Sequence, residues 1–446
     1  MQTFPRVLFI TPVAFNPYAG GGATYTSLFT GWPKDRLATI HNDVNPTTTD
    51  ICDNYFVLGP AELDFIEPFG WLRRRLRSSS ASVQKPESAT DELLPARQSR
   101  ARWVDAGRKR LLGDSIPERS KLTPELRKWI AEYKPDVIYT ILGSNGMMEL
   151  IERIRSTFHL PLVVHIMDDW ATSAHRYGLF APIERVRMNR WLQHFFSTAS
   201  AHLGISPAMS VAYSKRYNRP FTAFQYTLDV ERWMTHSKQK LESSHPPEFL
   251  YIGSIFPDAQ LQSLVDCAQA ILELNEEGYA SRLRIVTSAD NIARYSHLLA
   301  LHPNITLEVS QFDEPSFYNL LANADALLLP VNFDQKSVDF IRYSMPTKVP
   351  SYLISGTPCL VYGSSETAQV RYAMDDGWGH VVTQRSMIAL KAALRRIADD
   401  LPLRQNLSAA ARRTSAKHDA RLVRPAFQNI LRNAAENIRA ETSNAS

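Results

Sequence analysis

Short apolar runs alternate along the chain with longer stretches in which apolar side chains recur at three- and four-residue spacing. "RVLFITPVAF" reads as a strand, "TPELRKWIAEY" as a helix, "PDVIYTIL" as a strand, "GMMELIERIRSTF" as a helix and "LPLVVHIM" as a strand. "IERVRMNRWLQHFF", "AHLGIS", "PAMSVAYSKRY" and "FTAFQY" continue the same order. After the polar stretch "HSKQKLESSHPP" it restarts with "EFLYIG" and runs through "LQSLVDCAQAILEL", "LRIVTS", "NITLEV", "DALLLPV", "PCLVYG" and "GHVVT". Strands that alternate with helices predict parallel sheets covered on both faces. The pattern predicts an α/β chain of two Rossmann-like domains, over 1–235 and 248–420, joined near 232–247. A last helix over 421–446 is expected to cross back to the first domain.

At 446 residues, 44% hydrophobic and 21% charged, the chain has apolar material for two cores. Cys52, Cys267 and Cys359 are odd in number and far apart, which argues against a disulfide framework or a zinc site and fits a reducing cytoplasm. The opening "MQTFPRVLFITPVAF" runs into "NPYAGGGAT" instead of a small-residue cleavage site, so it reads as the first strand. No apolar run approaches the roughly 20 residues of a membrane-spanning helix. The net charge of +5 is uneven: the window 71–121 holds thirteen basic residues against six acidic ones. It breaks the alternation and reads as a polar insertion. Within it "ARWVDAGRKRLL" can form a helix with Trp103 among Arg108, Lys109 and Arg110, suited to an anionic membrane surface or equally to a solvated loop. Apart from Trp71 and Trp103 the window lacks interleaved aromatics, so nucleic acid is not an expected partner.

Ligands of doubly wound sheets bind beyond the carboxyl ends of the strands, and three stretches there carry candidate chemistry. Gly20, Gly21 and Gly22 follow the first strand and precede a helix, where backbone N–H groups attract anions; a plain turn is the competing reading. "VVHIMDDW" sets His165, Asp168 and Asp169 on and after an apolar strand, and either carboxylate can instead cap the next helix. "YSMPTKVPSYLISGTP" sets Ser344, Thr347 and Lys348 at a helix start, with hydroxyls, N–H groups and a point charge available to a phosphate.

Taken together with "ISPAMSVAY", "FLYIGS" and "VSQFDEPSFYNLLANADALLLPV", these stretches resemble the retaining family 4 glycosyltransferases of the GT-B fold over nearly the whole chain. The resemblance implies two Rossmann-like domains facing across a cleft, a nucleotide-sugar donor held by the second and a glycan or lipid-linked glycan acceptor held by the first. It implies catalytic or acceptor-side roles for His165, Asp168 and Asp169. Donor contacts fall on Gly21, Gly22, Gly253, Ser344, Thr347, Lys348, Ser351 and Tyr352. Three features depart from the family: "YIGSIFPDAQLQS" lacks the usual Arg and Lys, and Tyr343 and Ser351 stand where two glutamates are usual. Lys336, Arg342 and Lys348 are the expected substitutes for the missing charge.

The expected function is glycosyl transfer in polysaccharide or glycoconjugate biosynthesis, by a protein of the cytoplasm, with a peripheral place at the inner face of an anionic membrane as an open option. No metal or other cofactor is expected, since no Asp-x-Asp pair lies at a strand end. Retention by same-face attack and inversion with Asp168 or Asp169 as base both remain open. The alternative is a catalytically weak sugar-nucleotide-binding or scaffold protein of the same fold, which the departures would explain.

Overall fold

The structure is a computed structural model that describes residues 4–16, 20–43, 47–71, 115–310 and 313–444; the helix expected over "ARWVDAGRKRLL" lies outside them. The first sheet has seven parallel strands: β1 (Val7–Thr11), β2 (Leu37–His41), β3 (Tyr55–Val57), β6 (Val137–Thr140), β7 (Leu162–Ile166), β8 (Ala201–Gly204) and β9 (Thr222–Ala223). Their spatial order is β3-β2-β1-β6-β7-β8-β9. Two short antiparallel strands, β4 (Leu63–Phe65) and β5 (Glu118–Ser120), form a separate ladder. The end of the basic window is therefore ordered strand, because Leu63 pairs with Ser120 and ties it to the first half.

The second sheet is again all parallel, with β10 (Glu248–Ile252), β11 (Arg282–Thr287), β12 (Ile305–Val309), β13 (Ala326–Pro330), β14 (Cys359–Tyr362) and β15 (Gly379–Val382) in the order β12-β11-β10-β13-β14-β15. Every residue of β1, β2, β6, β7, β13 and β14 is buried. That explains their continuous apolar runs, since strands covered on both faces have no solvent side to leave polar. In each sheet the strand order reverses beside the first strand, between β1 and β6 and between β10 and β13, which opens a crevice at their carboxyl ends.

The first core is an aromatic cluster. Phe9 packs on Phe15, Tyr25, Phe29 and Tyr139 at centroid distances of 4.8–6.1 Å. The last helix, Ala420–Asn444, returns to this sheet and inserts Phe427 edge-on against Phe29 at 5.1 Å and Tyr139 at 5.5 Å. Phe427 also meets Phe224 at 5.5 Å. The chain thus starts and ends on one core, with the second sheet between. All three cysteines are free and buried, and no helix among the described residues is long and apolar enough to cross a membrane.

Phe427 has no exposed surface, so Phe427→Ala is expected to cost about 3–5 kcal/mol, read as a loss in the denaturant midpoint. An effect confined to fraying of the last helix, with the main transition unmoved, would show that the returning helix is not part of the first core.

Candidate functional site in the cleft

On the first half, the glycine triplet is not a loop before a helix but its first turn: the helix spans Gly20–Phe29. Its opening is held by Tyr25, whose hydroxyl donates to the carbonyls of Val13 at 2.6 Å and Ala14 at 3.0 Å. A Cβ on Gly22 would come within 3.0 Å of Asn16 Cβ and 3.1 Å of its carbonyl oxygen, so close backbone approach, not a positive φ, calls for glycine here. No acidic residue lies in the first turn, and the N–H groups of a helix start are suited to an anion. A Cβ on Gly21 would sit 4.0 Å from Met167 Cγ, which places the turn beside the end of β7.

The three polar residues of "VVHIMDDW" have three different environments. His165 is wholly buried within β7, its Nδ1 at 2.7 Å from the Tyr139 hydroxyl, and burial lowers its pKa to about 3. His165 is thus the last-but-one residue of β7, as expected for a strand-end group, with its neutral imidazole closed off from solvent. Asp169 is also buried and turned inward. Its Oδ1 accepts from the Tyr213 hydroxyl at 2.6 Å and from Arg216 at 2.8 Å, and its Oδ2 from Arg216 at 3.0 Å. It precedes the short helix Trp170–Ser173 without a side-chain cap bond, because Arg216 and Tyr213 take the carboxylate. Asp168 alone is directed at the cleft: its Oδ1 accepts from Ser344 Oγ of the second half at 2.6 Å. Burial raises the Asp168 carboxyl above its usual range, the Ser344 bond opposes the rise, and the neighbouring Asp169 adds to it.

On the second half, β10 is followed directly by Gly253, which has φ +130°. The positive φ calls for glycine, and a Cβ there would lie 2.9 Å from Lys348 Nζ, which places the ammonium against this turn. Lys348 opens the helix Lys348–Ser355 behind Thr347, whose side chain makes no cap bond. Its Nζ lies 4.1 Å from the centroid of the Tyr251 ring and makes no hydrogen bond or ion pair with a described residue. Burial pulls its pKa down to about 7. Ser351 and Tyr352 lie one turn deeper and are buried. The Ser351 Oγ is 3.5 Å from the Tyr318 hydroxyl, and the Tyr352 hydroxyl reaches Leu328 O and Ile252 N at 3.4 Å.

The other two expected cations are already engaged. Lys336 pairs with Asp258 at 2.8 Å, and Arg342 with Glu366 at 2.6 Å and Asp339 at 3.3 Å. The structure therefore brings Asp168, Ser344, Thr347, Lys348 and Gly253 to one stretch of the cleft, with Gly21 and Gly22 near the end of β7. Two further contacts cross between the halves there, Ser206 Oγ to Tyr343 O at 2.7 Å and Arg176 to Asp339 at 3.8 Å. Ser206 is legible in the sequence only as the cap of the helix Pro207–Tyr217, a role it also fills.

No protein-family profile matches the chain, and no curated protein matches it in sequence. Solved structures do match its fold. WaaG, a glycosyltransferase involved in lipopolysaccharide biosynthesis, superposes with a TM-score of 0.58 at 12% identity, over 95% of this chain and 99% of that one. Sucrose-phosphate synthase from Thermosynechococcus elongatus gives 0.59 at 11%, over 99% and 100%. HepE from Anabaena, solved in complex with UDP, gives 0.53 at 13%, over 96% and 100%. The fold is that of the GT-B glycosyltransferases.

Removing one partner of a buried ion pair leaves the other charge uncompensated, and Arg216 here keeps about a third of its side chain in water. Asp169→Ala is therefore expected to destabilise by about 3 kcal/mol, at the lower end for such pairs, read by denaturant unfolding. Unchanged stability combined with lost turnover would instead return Asp169 to the chemistry.

Proposed function

We propose that this chain is a glycosyltransferase that moves a sugar from a nucleotide-sugar donor to a hydroxyl of a glycan or lipid-linked glycan, in polysaccharide or glycoconjugate biosynthesis. The observation that carries the reading is Lys348: a half-buried ammonium with no anionic partner among the described residues, at a helix start and beside Gly253, which follows β10. Holding an unpaired cation in such a place costs stability, and an anionic ligand compensates it. A diphosphate fits the Lys348 ammonium together with the backbone N–H groups of the turn before it. HepE, of the same fold, is solved with UDP. On this reading residues 248–420 hold the donor and residues 1–235 the acceptor.

The transfer is read as metal-independent and retaining, with a hexose or deoxyhexose as the sugar. Asp168, held against Ser344, orients the acceptor hydroxyl. The bond from that oxygen to the anomeric carbon forms as the bond from the anomeric carbon to the diphosphate breaks. The hydroxyl proton passes to the leaving phosphate oxygen on the same face. Lys348 and the turn N–H groups stabilise the charge that develops on the diphosphate. Work on cytoplasmic nucleotide sugars, at or near a membrane bearing the acceptor, fits this chemistry. The competing reading, a sugar-nucleotide-binding scaffold without turnover, is favoured by the engagement of Lys336 and Arg342 in protein ion pairs. Thermal shift with a panel of nucleotide sugars, followed by nucleoside diphosphate release, separates the two: a shift without release supports the scaffold.

Lys348→Met is expected to weaken binding of the stabilising nucleotide sugar roughly tenfold to a hundredfold. The folded pKa of about 7 lies below the ordinary lysine value of 10.5. The stability cost of the lysine is therefore full below about pH 7 and fades as pH rises toward 10.5, so the variant should melt higher than wild type at pH 6 and gain little at pH 9.5. Wild-type donor affinity should fall between pH 6 and 8.5 as Lys348 deprotonates, and Lys348→Arg should flatten that profile. A Lys348→Met variant with unchanged affinity removes Lys348 from the donor site. Asp168→Asn is expected to lower turnover about a hundredfold with donor affinity intact, measured by steady-state kinetics against isothermal titration.

A further inference from the structure

Asp168 and Asp169 leave β7 in opposite directions, and the charge that separates them is Arg216 of the helix Pro207–Tyr217. Arg216 donates to both carboxylate oxygens of Asp169, at 2.8 and 3.0 Å. Its guanidinium lies 4.6 Å from the centroid of the Tyr213 ring, whose hydroxyl donates to the same carboxylate at 2.6 Å. Asp169 and Tyr213 are both buried, so the carboxylate is enclosed by the first half. A planar fork that binds two oxygens while lying on a ring is a property of arginine that lysine does not reproduce.

The turn that follows is braced at its other end. The Asp169 carbonyl accepts from Thr172 N at 3.1 Å and from its Oγ1 at 2.8 Å, and the Thr172 carbonyl accepts from Arg176 Nε at 2.9 Å. Arg176 in turn reaches Asp339 of the second half at 3.8 Å. Asp168 stands directly before this braced turn, with its Oδ1 on Ser344 Oγ at 2.6 Å. A buried ion pair stabilises a fold no better than well-packed apolar side chains of the same volume, so stability alone does not account for Arg216. What the pair supplies is an asymmetry between two chemically identical neighbours. With Asp169 drawn inward and its charge compensated, Asp168 is left to meet the second half. Without Arg216, two adjacent carboxylates repel each other and compete for Ser344.

We propose that Arg216 is a positioning residue: by holding Asp169 with two bonds it fixes the chain at the end of β7 so that Asp168, and not Asp169, faces Ser344 across the cleft. Arg216 acts through Asp168 and touches no reacting atom. That Asp168 orients an acceptor hydroxyl rests on the glycosyl-transfer reading; that Arg216 sets the direction of Asp168 does not. An Arg216 that only ties the helix Pro207–Tyr217 to the end of β7 would leave the contact between Asp168 and Ser344 as it is.

The three native cysteines are buried, so Ser344→Cys sets a distinct thiol opposite Asp168. A carboxylate beside a thiol raises its pKa, and the thiolate is the form that alkylates. Adding Asp168→Asn is therefore expected to speed alkylation by iodoacetamide at pH 7.5 about tenfold, as for a thiol pKa lowered by about one. With Arg216→Met also present, the same change should matter less than about twofold. A tenfold effect that persists without Arg216 overturns the proposal, as does an Asp168→Asn change without effect in the protein that retains Arg216. Circular dichroism checks folding. If Arg216→Met does not fold, Arg216→Lys decides in its place: an effect of about threefold is expected, and an undiminished one overturns the proposal. With a nucleotide sugar that is turned over, Arg216→Met should lower kcat about tenfold at unchanged donor KM and cost nothing further in the Asp168→Asn protein. Losses that multiply would overturn the proposal. The alkylation uses no donor, so an absence of turnover would sink the glycosyl-transfer reading while the thiol still decides the direction of Asp168.

Discussion

The cleft depends on three buried or half-buried cations that hold the linker between the sheets by donating to uncharged carbonyls. Lys238 Nζ reaches Ala324 O at 2.9 Å and Ala322 O at 3.1 Å. Arg404, 1% exposed, donates to Leu241 O and, at 2.7 Å, to Ile397 O, while Arg412 donates to Lys238 O. Burial lowers the pKa of Lys238 and of Arg404, and the charge of Asp325 acts against the fall in both. Asp325 in turn accepts from the backbone N–H groups of Ser244 and Glu248. Charge-assisted bonds of this kind contribute about 1.5–3 kcal/mol each, and losing one leaves a buried cation or carbonyl unsatisfied.

The strap explains why the contacts at the cleft itself can be sparse. Asp168 to Ser344, Ser206 to Tyr343 and Arg176 to Asp339 are single contacts; only Ser206 is fully buried, and the partly exposed Arg176–Asp339 pair contributes little to stability. They are groups a ligand can displace without unfolding either half. A second tie lies at the back of the molecule, where Thr227 Oγ1 donates to His418 O at 2.6 Å and the last helix carries Phe427 into the first core. Strong, buried joints behind and weak, polar joints in front leave the cleft as the place where the two halves can part.

The helix Ala181–Thr198 follows the same division. Its inner side carries Met188, Leu192, Phe195 and Phe196 into the first core, which accounts for its fold. Its outer apolar residues contribute nothing to that core, and its one carboxylate, Glu184, is buried on Asn145.

The alternation of apolar runs and helical periodicity was enough to place two parallel sheets and the carboxyl-end loops, because those patterns are set by neighbours in sequence. The charge window and the glycine triplet were legible for the same reason, although the triplet's place inside the helix depended on Asn16 packing against Gly22. Side-chain roles in the cleft were not legible, since each depends on a partner far along the chain. Asp168 and Asp169 are adjacent and chemically identical. Arg216 and Tyr213, more than forty residues on, draw Asp169 inward, and Ser344 in the other half meets Asp168. His165 stands at the end of β7 as it reads in sequence, and only the fold shows that its Nδ1 meets Tyr139 of the neighbouring strand. Lys336, Arg342 and Lys348 are three equivalent cations in sequence, and only the folded positions of Asp258, Glu366 and Asp339 leave Lys348 unpaired. Local pattern determines where strands and loops fall, because it is read over a few residues. Which charge is neutralised and which stays available is decided by long-range pairing, which tertiary structure alone supplies.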